Sequence, residues 1–442
     1  MELREKRVLV AGMAKSGLSA IDLLREQGAT VTATDSKPLD QLSRETQLRL
    51  EPVQFRVQNA GLFEQFDLIV LSPGVPVEVV PEDLRHRIVG EVELASYFLK
   101  GKSIGITGSN GKTTTTALTG HILKKCGIPC QVGGNIGTPP SAMVATSRDD
   151  QWNVLELSSY QLETISHFRA AIGVCLNLTP DHLDRHKTME NYAAAKGRLF
   201  DTQTETEYAV LNADDPYCVA YAAEARSKAV WFSLKRAVAH QGMWLDSEGR
   251  LMNDGAVFMQ AREIPLRGLH NVENVMAASL SAILAGADPA KVREAVMSFQ
   301  AVEHRLEFVR RVKGVAYYND SKATNVDATL KALEAFPSGL WVILGGKDKD
   351  SDYRPLADPM RRKARAALLI GAAGPKIATH IQGSCRLEMC GTMQDAIALA
   401  SKEALPGDTV LLAPACASFD QFENFEHRGR VFKALVHELK EA

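Results

Sequence analysis

One stretch limits the possible folds more than any other: Ser103-Ile104-Gly105-Ile106-Thr107-Gly108-Ser109-Asn110-Gly111-Lys112-Thr113-Thr114-Thr115-Thr116. Ser103 to Ile106 reads as a short apolar strand, the glycines as a turn, and Lys112 as the start of a Thr/Ala/Leu helix. A strand that turns sharply into a helix gathers several backbone N–H groups at one spot, and the helix N-terminus adds partial positive charge there. Phosphate oxygens fit such a cradle. Lys112 can reach the outer phosphates and the Thr113 hydroxyl can hold Mg²⁺, with Gly108, Ser109, Asn110, Gly111 and Thr114 around them. The usual spacing wants glycine five residues before Gly111, where this chain has Ile106 between glycines at 105 and 108. An ordinary glycine-rich strand–helix turn is the competing reading. The order strand, Gly-Lys-Thr, helix favours an ATP site.

A chain of 442 residues has room for several domains and a large core. Its net charge of −2 leaves no polybasic footprint for nucleic acid or an anionic membrane. The seven cysteines are odd in number and lack paired zinc spacing, so reduced thiols are expected. The charged start, Met1 to Arg7, runs straight into a strand and is no signal peptide. No apolar run reaches the roughly 18 residues of a membrane span. A soluble cytoplasmic α/β protein is the expectation.

Residues 7–11 read as a buried parallel strand, followed by Gly12-Met13-Ala14-Lys15-Ser16-Gly17 and an amphipathic helix to Gln27. A second strand, Thr30 to Thr34, ends at Asp35, where a dinucleotide fold places its ribose-binding acid. Ala14 replaces the middle glycine, so the fingerprint is weak. A strand from Asp67 to Leu71 leads to Ser72-Pro73-Gly74. In the central region, a strand from Trp152 to Leu157 carries Glu156, another from Ala171 to Leu176 leads into Asn177 to His182, a helix from Met189 to Phe200 carries Lys196, and residues 229–268 read as short antiparallel strands. The last region returns to strand–helix alternation, with polar loops at Asp320 to Asn325, Gly345 to Asp350 and Pro414 to Phe422. The fold expected is α/β with three domains. These are a Rossmann-like domain over 1–94, a phosphate-loop ATPase-like domain with a small β-sheet over 95–298, and a Rossmann-like α/β domain over 299–442.

Phosphoryl transfer needs charge neutralisation and positioning more than covalent help. Glu156 and His182, each after a strand of the phosphate-loop domain, could serve Mg²⁺ directly or through water. Each taken alone could equally be a loop residue or a histidine bonded to a carbonyl. Their joint placement favours function.

Thr107 to Thr114, Glu156 to Gln161, Asn177 to His182, His270-Asn271, His304-Arg305 and Asn319 to Asn325 together resemble the Mur ligase family of ATP-dependent amide-forming enzymes. Asn135 to Pro139 and Ala413 to Phe422 are similar to the branch that adds D-glutamate to UDP-N-acetylmuramoyl-L-alanine. The resemblance is collinear over essentially the whole chain. It implies an acyl-phosphate mechanism in peptidoglycan precursor synthesis. It also implies two Mg²⁺ ions, one with Thr113 and Glu156, the other with His182 and a CO₂-derived carbamate on Lys196. Lys112 would stabilise the transferring phosphoryl group. By composition alone Lys196 is a solvated helix lysine, and at an ordinary pKa of ~10.4 only about one in a few thousand is neutral near pH 7.

The resemblance further implies a nucleotide clamp of His270, Asn271, Arg305 and Asp320, and a D-glutamate pocket of Lys322, Thr324, Lys349, Ser418 and Phe425. Unaided, Arg305 reads as part of a surface charge cluster, Lys349 as one charge of a solvated turn, and Phe425 as core packing. Ser16, Asp35, Ser36, Lys37, Ser72, Gly74 and Asn135, with His182, would hold the UDP-sugar. Partners are then the two small substrates alone, with no nucleic acid and no membrane span, acting on a monomer. The rivals are a folylpolyglutamate synthetase, an NAD(P) oxidoreductase built on residues 1–94, and a degenerate nucleotide-binding module. The first lacks a role for the N-terminal domain. The second leaves Lys112 and Glu156 unexplained, and the intact set of charged residues argues against the third.

Overall fold

The computed structural model describes residues 1–235, 242–300 and 302–440. Its backbone forms three sheets and divides into two compact units. Unit one holds Met1–Glu263 and Glu273–Met297; unit two holds Ile264–Val272 and Ser298–Ala442.

The first sheet of unit one has five strands, all parallel, in the order Gln54–Val57, Thr30–Asp35, Arg7–Ala11, Leu68–Leu71, Ile88–Gly90. Val8, Leu9, Val10 and Ala11 are all buried, so both faces of the central strand are covered, as parallel pairing requires. The chain reverses its direction of winding between Arg7–Ala11 and Leu68–Leu71, and the loops after those strands flank the crevice that such a reversal opens. Gly17, in the first turn of the helix Lys15–Glu26, packs so tightly that a Cβ there would stand 1.9 Å from the Gly12 carbonyl oxygen.

The second sheet has nine strands. The phosphate-loop strand Lys102–Thr107 lies near its middle, between Trp152–Glu156 and Ile172–Cys175, and parallel to both. Residues 228–260 differ from the expectation of a separate antiparallel set. Lys228–Ser233 pairs parallel with Tyr208–Asn212 and with Gly242–Leu245, and only Gly242–Leu245, Arg250–Asn253 and Ala256–Gln260 run antiparallel. The hairpins therefore extend the main sheet. Two buried glutamates on the helix Glu91–Ser96 dock the first part of unit one on the second. Glu93 accepts bonds from the backbone N–H groups of Ser166, His167 and Phe168 and from the Ser166 hydroxyl, while Glu91 accepts from the Ser141 N–H at 2.6 Å.

Unit two carries a six-stranded sheet in the order Glu307–Val312, Val315–Asn319, Thr409–Leu412, Leu340–Gly345, Ala364–Ile370, Arg386–Gly391, parallel except for the first pair. Apolar side chains pack both of its faces. Among the described residues no helix is long and apolar enough to cross a membrane.

Candidate functional site

The phosphate loop is held open by the neighbouring strand's exit. Ser109 N–H donates to the Asn177 carbonyl at 2.8 Å, Asn110 N–H to Asn177 Oδ1 at 2.9 Å, and Thr179 N–H to Ser109 Oγ at 2.9 Å. Gly111 then enters the helix Lys112–Lys125 at φ +89°, a conformation that costs an L side chain dearly. A Cβ there would also stand 2.2 Å from Asn274 Oδ1, which accepts the Thr115 hydroxyl. Gly111→Ala is therefore expected to add about 2 kcal/mol of strain. It should lower the melting temperature and weaken nucleotide binding together; an unchanged melting temperature would contradict this account of the loop. Lys112 Nζ donates to the Gly108 and Ser109 carbonyls at 2.7 and 2.9 Å, folded over the cradle whose phosphate it would meet.

Glu156 ends the strand beside the phosphate-loop strand and is 1 % exposed. Its Oε1 accepts from Asn135 Nδ2 at 2.9 Å, while Oε2 is buried with no hydrogen-bond partner. A carboxylate oxygen in that condition is costly unless a cation meets it. His182 stands at the exit of the strand on the other side, at φ +55°, with Nδ1 2.9 Å from the Tyr160 hydroxyl and Nε2 3.6 Å from Asp181 Oδ2.

Lys196 departs from its reading as a solvated helix lysine. It is 1 % exposed, its Nζ donates to the Gly108 carbonyl at 3.0 Å and to Thr107 Oγ1 at 3.4 Å, and it lies 4.7 Å from the Tyr192 ring centroid. It forms no ion pair with a carboxylate among the described residues. Burial first, and then the Lys112 cation, pull its pKa down to about 7. An amine so placed is half neutral at neutral pH. The donor set of Thr113, Glu156 and His182 fits Mg²⁺, and an anionic adduct on Lys196 would add a further hard oxygen.

A cavity of about 510 Å³ opens at the reversal point of the first sheet. Ser16, Asp35, Ser36, Ser72, Gly74 and Asn135 all line it. Asp35 Oδ2 accepts the Met13 N–H at 2.8 Å, so this acid also shapes the glycine turn. Lys37 and His182 are not in the lining, and the Lys37 backbone N–H donates to Asp35 Oδ1. Asn135 belongs both to the cavity wall and to the Glu156 carboxylate, and so ties the two places together. Sequence reasoning missed Lys15, whose Nζ reaches across the cavity to the Gly137 carbonyl at 2.5 Å.

In unit two, Asp320 is buried, and burial raises its carboxyl to about 6 against the pull of Arg305. Asn271 donates to the Arg267 carbonyl at 2.6 Å and contacts His270 Nε2 at 3.2 Å. Beside Arg305, the carboxylates of Glu303 and Glu307 near His304 are bridged by Lys433 Nζ at 2.5 and 2.9 Å.

The loops carrying Thr324, Lys349 and Ser418 follow three adjacent parallel strands. Arg428, 0 % exposed and missed by sequence reasoning, stitches two of them. It donates to Ser321 Oγ at 2.9 Å, to the Ser321 carbonyl at 2.8 Å and to the Cys416 and Ala417 carbonyls at 3.1 and 3.3 Å. The Lys347 N–H, donating to the Ala417 carbonyl at 2.9 Å, joins the third loop. Ser418 is 3 % exposed, Thr324 half-buried and Lys349 exposed. Phe425 is the first residue of the helix Phe425–Glu438, so its N–H is among those a helix leaves unbonded internally, and Lys322 Nζ lies 4.0 Å over its ring.

This fold and site define a phosphate-loop α/β nucleotide-binding protein that carries two further α/β sheets. Three family descriptions match the chain: Mur ligase MurD-like N-terminal domain over 6–86, Mur ligase middle domain over 106–282, and Mur ligase glutamate ligase domain over 304–416. UDP-N-acetylmuramoylalanine–D-glutamate ligase of Solibacter usitatus is 59 % identical, covering 100 % of this chain and 99 % of its own length. The protein of the same name from Acidobacterium capsulatum is 52 % identical over 99 % of this chain and 97 % of its own. Among solved structures, MurF ligase from Thermotoga maritima in complex with ADP aligns at TM-score 0.64 and 15 % identity over 99 % of this chain and 96 % of its own. A pseudomurein peptide ligase type C from Methanothermus fervidus aligns at 0.62 and 18 %, over 99 % and 100 %. Those two likenesses concern the fold. The chain belongs to the Mur ligase family, whose members are ATP-dependent.

Proposed function

We propose that this chain joins D-glutamate to the alanyl carboxyl group of UDP-N-acetylmuramoyl-L-alanine at the expense of ATP, in cytoplasmic peptidoglycan precursor synthesis. The observation that carries the chemistry is the cluster of phosphate loop, half-paired Glu156 and buried Lys196. The choice of amino acid and sugar nucleotide rests on the activity named for the relatives. Domain borders near residues 94 and 298 go with this reading, as does a monomer.

The cavity of the first sheet takes the UDP group, with Ser16, Asp35, Ser36, Ser72, Gly74 and Asn135 around it. The backbone N–H groups of residues 108–114 and Lys112 take the triphosphate, and Asn271, Arg305 and Asp320 take the rest of the nucleotide. The alanyl carboxylate attacks the γ-phosphorus, releasing ADP and leaving an acyl phosphate. The D-glutamate amine then attacks the acyl carbon, and the tetrahedral intermediate expels phosphate as the amide forms. Thr113 and Glu156 would hold one Mg²⁺; His182 and Lys196, as its carbamate, would hold a second. Mg²⁺ bound there neutralises phosphoryl and acyl-phosphate charge. Lys112 adds its own cation to the phosphoryl oxygens in the transition state. Thr324 and Lys349 meet one glutamate carboxylate; Ser418 and the Phe425 N–H meet the other, with Lys322 adding positive charge beside Phe425.

The test is phosphate release from ATP by the purified protein, which should require UDP-N-acetylmuramoyl-L-alanine and D-glutamate together. Release with glutamate alone, or diaminopimelate as the better amine, would overturn the assignment. Ser418→Ala removes one donor from a buried turn. It should raise the KM for D-glutamate about tenfold, the scale of one lost hydrogen bond to a charge. The ATP KM should stay within about twofold, and a large shift in it would mean that Ser418 serves the nucleotide instead.

A further inference from the structure

Lys349 has an awkward place for a residue that must bind a carboxylate. Asp348 and Asp350 flank it in Lys347-Asp348-Lys349-Asp350, and either could neutralise it before a substrate arrived. Lys349 nevertheless forms no ion pair among the described residues. Both aspartates are engaged elsewhere. Asp348 Oδ2 accepts Lys376 Nζ at 2.7 Å, and its Oδ1 accepts the Tyr353 hydroxyl at 2.7 Å and the Ser351 N–H at 3.1 Å. Asp350 Oδ1 accepts the same Lys376 Nζ at 3.2 Å. Lys376 itself lies on the helix Gly374–His380, far along the chain, and enters this loop from outside.

We infer that Lys376 is a positioning residue for amino-acid binding, sequestering the carboxylates of Asp348 and Asp350 so that the Lys349 ammonium stays available to a substrate carboxylate. The inference rests on the assignment of Lys349 to the D-glutamate pocket and deepens it. Tyr353 completes the arrangement. Its ring is fully buried, its hydroxyl stands 3.1 Å from Cys416 Sγ, and it fixes Asp348 from the core side while Lys376 fixes it from the solvent side. The loop is thus pinned at Asp348, one residue before Lys349, next to the Cys416–Ser418 turn that supplies the other carboxylate contact.

The experiment compares the parent, Lys376→Met, Lys376→Arg, Asp348→Asn and the double variant Lys376→Met/Asp348→Asn for KM with each substrate, kcat and melting temperature. Lys376→Met releases two carboxylates toward Lys349 and should raise the D-glutamate KM about tenfold, with kcat and the ATP KM within about twofold. Lys376→Arg should match the parent. The double variant should recover most of the loss, because the amide oxygen introduced by Asp348→Asn can still accept from Tyr353 and Ser351 but carries no charge to compete. A merely structural lysine would lower kcat, shift every KM with the melting temperature, and gain nothing from Asp348→Asn. That pattern, or a parent-like D-glutamate KM in Lys376→Met, overturns the inference. If Lys376→Met does not fold, Asp348→Asn in the parent decides alone: its D-glutamate KM should be equal or lower, and a rise overturns the inference. A parent that releases no phosphate in response to D-glutamate overturns the pocket assignment, and this inference falls with it. Normal parent turnover with unresponsive variants overturns only the role of Lys376.

Discussion

Lys196→Ala should lower turnover by roughly 10²–10³-fold, and acetate or another short carboxylic acid should restore part of the loss. The geometry behind this is a fully buried amine bonded to the phosphate-loop carbonyl of Gly108, with no ion pair to a carboxylate among the described residues. With its pKa drawn down to about 7 by burial and by Lys112, the neutral fraction near pH 7 is about half, against one in a few thousand for an ordinary lysine. The free amine can then attack CO₂. A new N–C bond forms, one proton leaves the nitrogen, and the product is an anionic carbamate beside the Lys112 cation, which disfavours an ammonium there and favours an anion. The sign of the pH dependence follows. Lowering pH through 7 protonates the amine, so at fixed dissolved CO₂ both carbamate content and activity should fall on the acid side. Carbon-13 NMR of protein equilibrated with labelled CO₂ should show one carbamate carbon that Lys196→Ala lacks. Parent-like activity in Lys196→Ala would end the assignment.

Much of this is legible in the residues alone, because local chemistry leaves marks there. The phosphate loop announces itself by strand, glycine turn and Gly-Lys-Thr, and the structure places strand Lys102–Thr107 and helix Lys112–Lys125 on either side of it. The burial of Lys196 is legible in part. Tyr192, Lys196 and Leu199 recur at helical spacing and share the buried face of Met189–Asp201 with Phe200, so the lysine interrupts an apolar stripe. Arg428 repeats the pattern with Phe432 and Val436, all buried on one face of Phe425–Glu438. A charge inside such a stripe is the signal that composition alone passes over. What cannot be read is the pairing of elements distant in sequence. Turn residues mark the hairpins between 242 and 260, yet nothing local says that they extend the phosphate-loop sheet. Likewise Asp348 and Lys376 are ordinary surface charges until the fold brings them to 2.7 Å.

Glu156→Gln should abolish most turnover while leaving the fold at least as stable as the parent, a separation that few active-site substitutions give. In the parent, one carboxylate oxygen is satisfied by Asn135 and the other is buried without a hydrogen-bond partner, so nothing bonded to that oxygen offsets its removal from water. Glutamine keeps the shape and can still accept the Asn135 amide through its own oxygen. It removes the charge, and the desolvation cost of that charge goes with it. Hence the melting temperature without Mg²⁺ should be unchanged or higher. Under the proposed assignment the same substitution would take from a divalent ion its anionic protein ligand beside Thr113, so kcat should drop by about 10²–10³-fold. The extra ADP affinity that Mg²⁺ confers on the parent should disappear. Calorimetric titration of ADP with and without Mg²⁺ separates these effects. A variant whose ADP affinity still responds to Mg²⁺ as the parent's does would show that the ion is held without Glu156, and the orphaned oxygen would need another explanation. A variant that melts well below the parent would show instead that the carboxylate is compensated in the folded protein and supports the strand it ends.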